Sequence, residues 1–300
     1  MQPGKSGSDS GRADAPTTPA EATPDTSTTV MSADWREGLD PLIGLQIENY
    51  HILSSISAGG FGQVYLARDT KLDRKVAVKF LKPEQRLHRD LFEREAKAIA
   101  ALKHRSIVQI YTWGEYAAAG TAETMVYFVL ELLEASAQDL LERSPGGLPA
   151  AAVLRIGAEC AEGLSYAHHK GILHRDIKPG NILIDGESGN AKIVDFGLAH
   201  FAGASHATIT GTISGSPPYM SPEQANGERL DARSDVFSLG STLYALLSGR
   251  APFHGSQDEV LEKLRDNDRP PLKDFCPDLP IYVLDIVEKA METEPARRYQ

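Results

Sequence analysis

The stretch ILHRDIKPGNIL, residues 172–183, is the most informative part of this 300-residue chain, and DFG follows it at residues 195–197. The first stretch places a carboxylate, a cation and an amide on one loop, and the second adds another carboxylate. A carboxylate can accept the proton of a hydroxyl, a lysine can balance the charge of a phosphate, and carboxylate and amide oxygens bind Mg²⁺. Together the two stretches predict the chemistry of phosphoryl transfer.

Upstream of this loop, residues 50–80 have the alternating pattern of β-strands. The segments QVYLA (63–67) and KVAVKF (75–80) alternate apolar and polar residues with a period of two. Between the first two predicted strands lies a glycine-rich run, SAGGFG (57–62), whose backbone N–H groups can bind an anion. By itself, this run does not distinguish a nucleotide-binding loop from an ordinary glycine-rich hairpin.

Two charged residues lie where the pattern expects apolar side chains. The spacing predicts a helix over 89–103 with Glu95 on its apolar stripe, while Lys79 lies at the end of an apolar strand. A buried charge is costly unless it meets an opposite charge. Either these two residues pair with each other, or Glu95 lies at the edge of its stripe and reaches water.

Beyond residue 133 the chain turns predominantly helical. Three segments carry apolar residues at helical spacing or on nearly every face: 153–167, 234–247 and 281–291. A capping box at 256–259 predicts the start of a further helix. His168 and His169 end the first of these helices, where we expect them to be exposed and to favour its C-terminal dipole.

The N-terminal region differs in composition from the rest. Of residues 1–30, 21 are Gly, Pro, Ser, Thr or Ala, so the segment cannot offset the conformational entropy of folding. We expect residues 1–44 to form a disordered tail rich in Ser, Thr and Pro, which is either a phosphorylatable regulatory arm or an inert extension. We expect residues 45–300 to fold as two packed lobes.

Charge and composition exclude several classes of function. The formal net charge of −10 argues against nucleic acid or an anionic membrane as partner. Only two cysteines are present, Cys160 and Cys276, far apart and without a C-x-x-C pair, which argues against a zinc cage or a disulfide framework. The longest uninterrupted apolar run, 125–130, is far shorter than the ~20 residues of a spanning helix. We therefore expect a cytoplasmic protein, although an anchor beyond residue 300 stays open.

The chain resembles the eukaryotic-like serine/threonine protein kinases found in bacteria. The resemblance covers about residues 50–300, where five motifs occur in the family's order: GxxGxV at 59–64, VAVK at 76–79, HRDxKxxN at 174–181, DFG at 195–197, and SPE at 221–223 in the family's APE position. It implies an α+β, two-lobed kinase fold: a β-rich N-lobe with one helix (45–131) and a mainly helical C-lobe (134–300), truncated at its C-terminal end.

The resemblance also implies an activity and its catalytic residues. Family members use ATP and Mg²⁺ to phosphorylate serine and threonine hydroxyls of protein substrates in signalling. Asp176 would be the catalytic base, and Lys178, whose position is typical of the Ser/Thr branch, would neutralise the transferring phosphate. Asn181 and Asp195 would bind Mg²⁺.

By the same resemblance, the nucleotide would bind between the lobes. Lys79 would hold the phosphates, with Glu95 as its helix partner, and Leu130 occupies the gatekeeper position. The connector between the lobes, residues 131–133, would bond the adenine through its backbone. The other ATP-binding positions lie in the glycine-rich run, on the strands beside it and in the connector: Ser57, Ala58, Gly59, Gly60, Phe61, Gly62, Val64, Ala77, Glu131 and Leu133.

Three further residue matches imply structural roles. His174 would pack under the DFG segment, and Glu223 and Arg298 would form a buried ion pair. Asp235 would hold the backbone of the central loop, residues 172–183.

The segment between residues 195 and 223 is rich in hydroxyls, and the resemblance predicts autophosphorylation of Thr208 and Thr210. Arg175 would then clasp one phosphate through charge-assisted hydrogen bonds. Reaction in trans would need a transient homodimer. The alternative is that these threonines are ordinary solvated loop residues.

Two departures from the family pattern stand out, and two rival functions stay open. Ser57 replaces the first loop glycine, which could loosen nucleotide contacts, and Ser216 replaces a threonine while keeping its hydroxyl. One rival is a pseudokinase scaffold, although no residue of the catalytic set is lost. The other is a small-molecule kinase, against which the segment 215–223 argues because it resembles a platform for protein substrates.

Overall fold

The computed structural model describes residues 40–59, 62–81, 96–117, 124–196 and 216–300. Within these ranges, a six-stranded antiparallel sheet precedes a mainly helical region. Its strand order is β1-β2-β3-β4-β6-β5. The strands are β1 (Gln46–Ile47), β2 (Tyr50–Gly59), β3 (Gly62–Asp69), β4 (Arg74–Leu81), β5 (Ile110–Ala117) and β6 (Thr124–Leu130).

The central strand β4 explains why a lysine lies inside the sheet region. From Val76 onward every side chain of β4 is buried, because apolar clusters cover both faces of the sheet. Lys79 is 5% exposed. A buried charge in this position requires an acidic partner, so a carboxylate has to lie within reach of the Lys79 ammonium.

The helical region is built around the long buried helix Ala232–Ser248. Its helices are α1 (Ala137–Glu142), α2 (Ala150–His169), α3 (Pro222–Ala225), α4 (Ala232–Ser248), α5 (Gln257–Asp266), α6 (Leu272–Phe275) and α7 (Ile281–Ala290). Helix α4 packs against α2 and α7 at glycines: a Cβ on Gly240 would lie 2.8 Å from the Cβ of Ala290. Asp231 caps its N-terminus, and Gly249 ends it at φ 78°, as an αL cap does.

A small second sheet lies between the two regions. It has the order β7-β8-β9, with β7 at Ala135–Ser136, β8 at Ile182–Ile184 and β9 at Ala191–Ile193. Ile193 joins it to the segment before β5: its N–H donates to Ser106 O at 2.9 Å, and its carbonyl accepts from Val108 N at 2.9 Å. These bonds fix the sheet region relative to the central loop.

The predicted succession of a β-rich half and a helical half is confirmed. The capping box at Ser256 begins α5, and the helices predicted over 234–247 and 281–291 match α4 and α7 within a few residues. Of the helix predicted over 89–103, residues 96–100 are helical and Glu95 lies outside the described residues. So do residues 1–39, which hold most of the predicted tail. Among the helices described, none is both long and apolar enough to cross a lipid bilayer.

An ion pair near the C-terminus is fully enclosed. The guanidinium of Arg298 donates to both carboxylate oxygens of Glu223, at 2.7 and 2.9 Å. Its remaining N–H groups donate to the carbonyls of Glu292, Arg233 and Thr293, so that all five donors are used. Burial alone would raise the pKa of the Glu223 carboxyl, but the hydrogen bonds and charge of Arg298 bring it below its usual value. This confirms the predicted pair.

We expect the Gly62→Ala substitution to destabilise the sheet region. A Cβ there would lie 1.9 Å from the carbonyl oxygen of Phe80, so the β3–β4 pairing must shift. We expect a loss of about 1–3 kcal/mol in unfolding free energy, measured by urea denaturation. Gly146→Ala is the control, because a Cβ there meets no atom within 4 Å. Equal stability of the two variants would contradict the assigned close approach.

We expect the Glu223–Arg298 pair to make stability pH-dependent. Because the folded pKa of Glu223 lies below its ordinary value of 4.5, its contribution is present above about pH 4.5 and is lost as the pH falls through the folded pKa. Glu223→Gln should cost about 3–5 kcal/mol at pH 7, and the cost should shrink on acidification.

The matched control for this prediction is Glu294→Gln. It breaks the exposed Glu294–Arg297 pair and should cost at most about 1 kcal/mol. Urea denaturation between pH 7 and pH 3 measures both variants. A cost for Glu223→Gln that does not change with pH would show that the ion pair is not the source.

Candidate active site

Three polar side chains of the central loop (residues 172–183) form one cluster. The Nζ of Lys178 lies 2.9 Å from Asp176 Oδ2, and Asn181 Nδ2 donates to Asp176 Oδ2 at 3.1 Å and to its carbonyl at 2.7 Å. Lys178 also donates to the hydroxyl of Ser216 at 2.6 Å. Asp176 and Asn181 are each 7% exposed. The carboxylate therefore has a fixed orientation beside a cation.

A second charged pair joins the sheet to the DFG segment. Lys79 Nζ lies 2.5 Å from Asp195 Oδ2, with the two side chains 7% and 20% exposed. This is the acidic partner that the burial of Lys79 requires. Glu95, the partner expected from the sequence, lies outside the described residues, so the Lys79–Glu95 pair stays a prediction.

The buried carboxylate of Asp235, in the first turn of α4, holds the start of the central loop. Its oxygens accept the backbone N–H groups of His174 and Arg175, each at 2.8 Å. His168 Nε2 lies 2.7 Å from Asp235 Oδ2, which as a carboxylate oxygen accepts the bond. Burial alone would raise the pKa of Asp235, but the hydrogen bond from His168, the electrostatic attraction of His174 and His168, and the His174 backbone N–H bring it below its usual value. The predicted contact between Asp235 and the loop backbone is present.

The expectation that His168 is exposed was wrong. Its side chain is 15% exposed and bonded to Asp235, because the last turn of α2 packs against the first turn of α4. His169 is exposed, as expected, and its ring bonds the carbonyl of Ser165.

Arg175 and Asp195 have positive φ angles, 70° and 68°, a conformation that is unfavourable for residues other than glycine. The strained peptide of Arg175 is held on both sides: Asp235 accepts its N–H, and Gln224 Nε2 donates to its carbonyl at 2.7 Å. Such strain persists where the surroundings over-determine it. Gln224 was not singled out in the sequence, since its role depends on a long-range contact.

His174 packs under the DFG segment, as predicted. Its ring is fully buried and contacts Phe196 edge-on, with centroids 4.7 Å apart. Because Nδ1 accepts the N–H of Asp176 at 3.2 Å, Nε2 carries the proton and donates to Val194 O at 2.8 Å. The imidazole thus ties the loop to the residue before Asp195.

A largely apolar pocket opens beside Lys79 and Asp195. The gatekeeper-position residue Leu130, at the end of β6, forms part of its wall. The other lining residues are Ile99, Ile107, Val108, Ile110, Phe128, Ile193, Val194 and Phe196. The connector begins directly after Leu130, with Glu131 and Leu133 partly buried.

The described site residues lie on the elements that the sequence predicted. Ala77 and Lys79 are on β4, beside the paired strands that carry the other described positions: Ser57, Ala58 and Gly59 on β2, and Gly62 and Val64 on β3. Four predicted residues fall outside the described ranges besides Glu95: Gly60, Phe61, Thr208 and Thr210.

The sequence of residues 50–300, which includes this site, matches the family model of the protein kinase domain. The chain belongs to the protein kinase domain family. It is 38% identical over 264 residues to the serine/threonine-protein kinase PrkC of Bacillus subtilis, covering 86% of this chain and 40% of PrkC. It is 37% identical over 264 residues to the serine/threonine-protein kinase PknB of Mycobacterium leprae, covering 84% and 41%.

A solved structure shows the same fold. The kinase domain of PknI from Mycobacterium tuberculosis superposes with a TM-score of 0.66 at 27% identity, covering 86% of this chain and 93% of that one. The predicted two-lobed kinase fold and the bacterial serine/threonine kinase resemblance are therefore confirmed. The chain spans about two fifths of the length of the PrkC and PknB relatives.

Proposed function

We propose that this chain phosphorylates serine and threonine hydroxyls of protein substrates, with ATP as the phosphoryl donor. The observation that carries the proposal is the cluster on the central loop, in which Lys178 and Asn181 both lie within hydrogen-bond distance of the Asp176 carboxylate. The naming of PrkC and PknB as serine/threonine-protein kinases supports it.

In this proposal, ATP binds between the lobes. Lys79 binds the phosphates, the backbone of 57–62 covers them, and Val64 and Ala77 contact the adenine, whose edge bonds the backbone of Glu131 and Leu133. Lys79 is held at Asp195, so the phosphates must enter beside a cation that is already oriented. Glu95 is the proposed helix partner of Lys79.

The residues present suit a magnesium ion. Asn181 turns its Nδ2 toward Asp176, which leaves its amide oxygen as the ligand, and Asp195 supplies a carboxylate. Hard oxygen ligands of this kind bind Mg²⁺ together with the nucleotide phosphates. The bound ion would neutralise charge on the transferring phosphoryl group.

The side chains of the central loop then divide the chemistry. Asp176 accepts the proton of the attacking hydroxyl, and Lys178, 2.9 Å away, stabilises the charge of the transferring group. Ser216 fixes Lys178 from the segment that leads into α3. That segment resembles a protein-substrate platform, which favours a protein over a small molecule as acceptor.

We expect Asp176→Asn and Asp195→Ala each to lower phosphate transfer to casein by at least about a hundredfold. Asp176→Asn removes the proton acceptor, and Asp195→Ala removes a metal ligand. Radiolabelled ATP measures transfer, and circular dichroism confirms the fold. Asp258→Asn, an exposed change on α5, is the control and should keep wild-type activity. Near-normal turnover of Asp195→Ala with Mg²⁺ would overturn the metal assignment.

Activation is proposed to proceed by autophosphorylation of Thr208 and Thr210 in trans, through a transient homodimer. Arg175 supports this, since its backbone is fixed by Asp235 and Gln224. Its Nε is buried and finds no hydrogen-bond partner among the described residues. A phosphate would supply acceptor oxygens and opposite charge.

Mass spectrometry decides whether the loop is autophosphorylated. Protein expressed in bacteria should carry phosphate on Thr208 and Thr210, and the Asp176→Asn variant expressed alone should carry none. Adding active enzyme to that variant should restore both phosphates if the reaction occurs in trans. Phosphate that persists in Asp176→Asn alone, or is missing from the active enzyme, would contradict the proposal.

A further inference from the structure

A polar cluster connects the start of the connector to the strand that leads into Asp195. Lys192, in the middle of β9, donates to Glu131 Oε2 at 2.6 Å. The backbone N–H of Gln109 donates to Glu131 Oε1 at 2.7 Å, and Glu131 N donates to Gln109 O at 3.0 Å. We call this group of Glu131, Lys192 and the Gln109 backbone the connector clamp.

The clamp lies in surroundings where an ion pair can fix geometry. Both charged side chains are 17% exposed, so water screens them less than it screens a surface pair, and the hydrogen bonds are charge-assisted. The two oxygens of Glu131 have different partners on two different segments. The two bonds therefore hold the Glu131 side chain between β9 and the residue that precedes β5.

The anchor at the other end of the clamp is rigid. The N–H of Ala191 donates to Glu159 Oε2 at 2.6 Å, and Ile193 is paired with Ser106 and Val108. Lys192 lies between these fixed residues, so its ammonium starts from a held backbone. A held lysine on β9 can position Glu131, whereas a freely moving one could not.

We propose that Lys192 and the carboxylate of Glu131 are positioning residues that hold the connector in the conformation that binds adenine. This rests on the proposed function, in which the backbone of Glu131 and Leu133 contacts the base. The clamp acts on the path of the main chain and does not touch the phosphates. Its loss should therefore weaken binding of the nucleoside and of the nucleotide by the same factor.

The test uses Lys192→Met and Glu131→Gln, with affinities for adenosine and for Mg·ATP measured by calorimetry. In each variant we expect both affinities and the reciprocal KM for ATP to fall about fivefold, with kcat changed less than twofold, as for lost uniform binding. The double variant should lose no more than the worse single variant, because the two residues act as one unit. Lys192→Arg keeps the charge and should restore affinity to within about twofold of wild type.

Arg269→Met is the matched control. It removes the buried partner of Glu288, a pair of the same 2.6 Å length in the helical lobe, and should lower the melting temperature without changing adenosine affinity. If Lys192→Met behaves like Arg269→Met, the clamp is a structural brace and the proposal is wrong. A loss of Mg·ATP affinity alone would also overturn it, since the effect would then pass through Asp195.

The proposed function and the clamp fail separately. A wild-type protein that binds adenosine but transfers no phosphate would contradict the kinase activity, while the adenosine measurements would still decide the role of the clamp.

Discussion

The carboxylate of Asp235 is the interaction on which the site depends. It is almost completely buried at the start of α4, and it accepts bonds from two consecutive peptides of the central loop and from the ring of His168. A buried charge is tolerated when several donors satisfy it. Because one rigid helix supplies the acceptor, the loop can keep Arg175 in a left-handed conformation that would relax if left unsupported.

Strand β9 transmits this order toward Asp195. Each of its residues has a fixed partner, and the following residue, Val194, is bonded at both backbone groups: its N–H donates to Asn181 O at 3.0 Å and its carbonyl accepts from His174. Asp195 follows directly and pairs with Lys79. The central loop, the small sheet and the six-stranded sheet therefore meet within a few residues, and the charged groups of the site are oriented together.

Much of this architecture could be predicted from the sequence. The period of two in the first half and the apolar helix 234–247 set the fold, and the spacing of Asp176, Lys178 and Asn181 placed three functional groups on one loop. Lys79 was noticed because a charge at the end of an apolar strand conflicts with its pattern, which called for an acidic partner. The partner named from the sequence, Glu95, lies outside the described residues, and the structure pairs Lys79 with Asp195 instead.

The remaining contacts depend on how distant elements pack. His168 could not be recognised as a partner of Asp235, because 67 residues separate them and a histidine at a helix end has an ordinary exposed explanation. Gln224 and Lys192 are surface-type residues in the sequence, and only the packing of α3 and β9 against the loop and the connector gives them partners. Patterns of local periodicity carry no information about such contacts.

The saturated guanidinium of Arg298 has a consequence for how short this folding unit can be made. Its donors collect one carboxylate and three carbonyls from α3, α4 and the segment after α7, so a single side chain close to the last residue ties together elements spread over seventy-five positions. A fragment cut before Arg298 would keep Asp176, Lys178 and Asn181, yet it would enclose the Glu223 carboxylate without its counter-charge. A shortened version of this folding unit therefore has to retain Arg298, because the buried Glu223 needs its counter-charge.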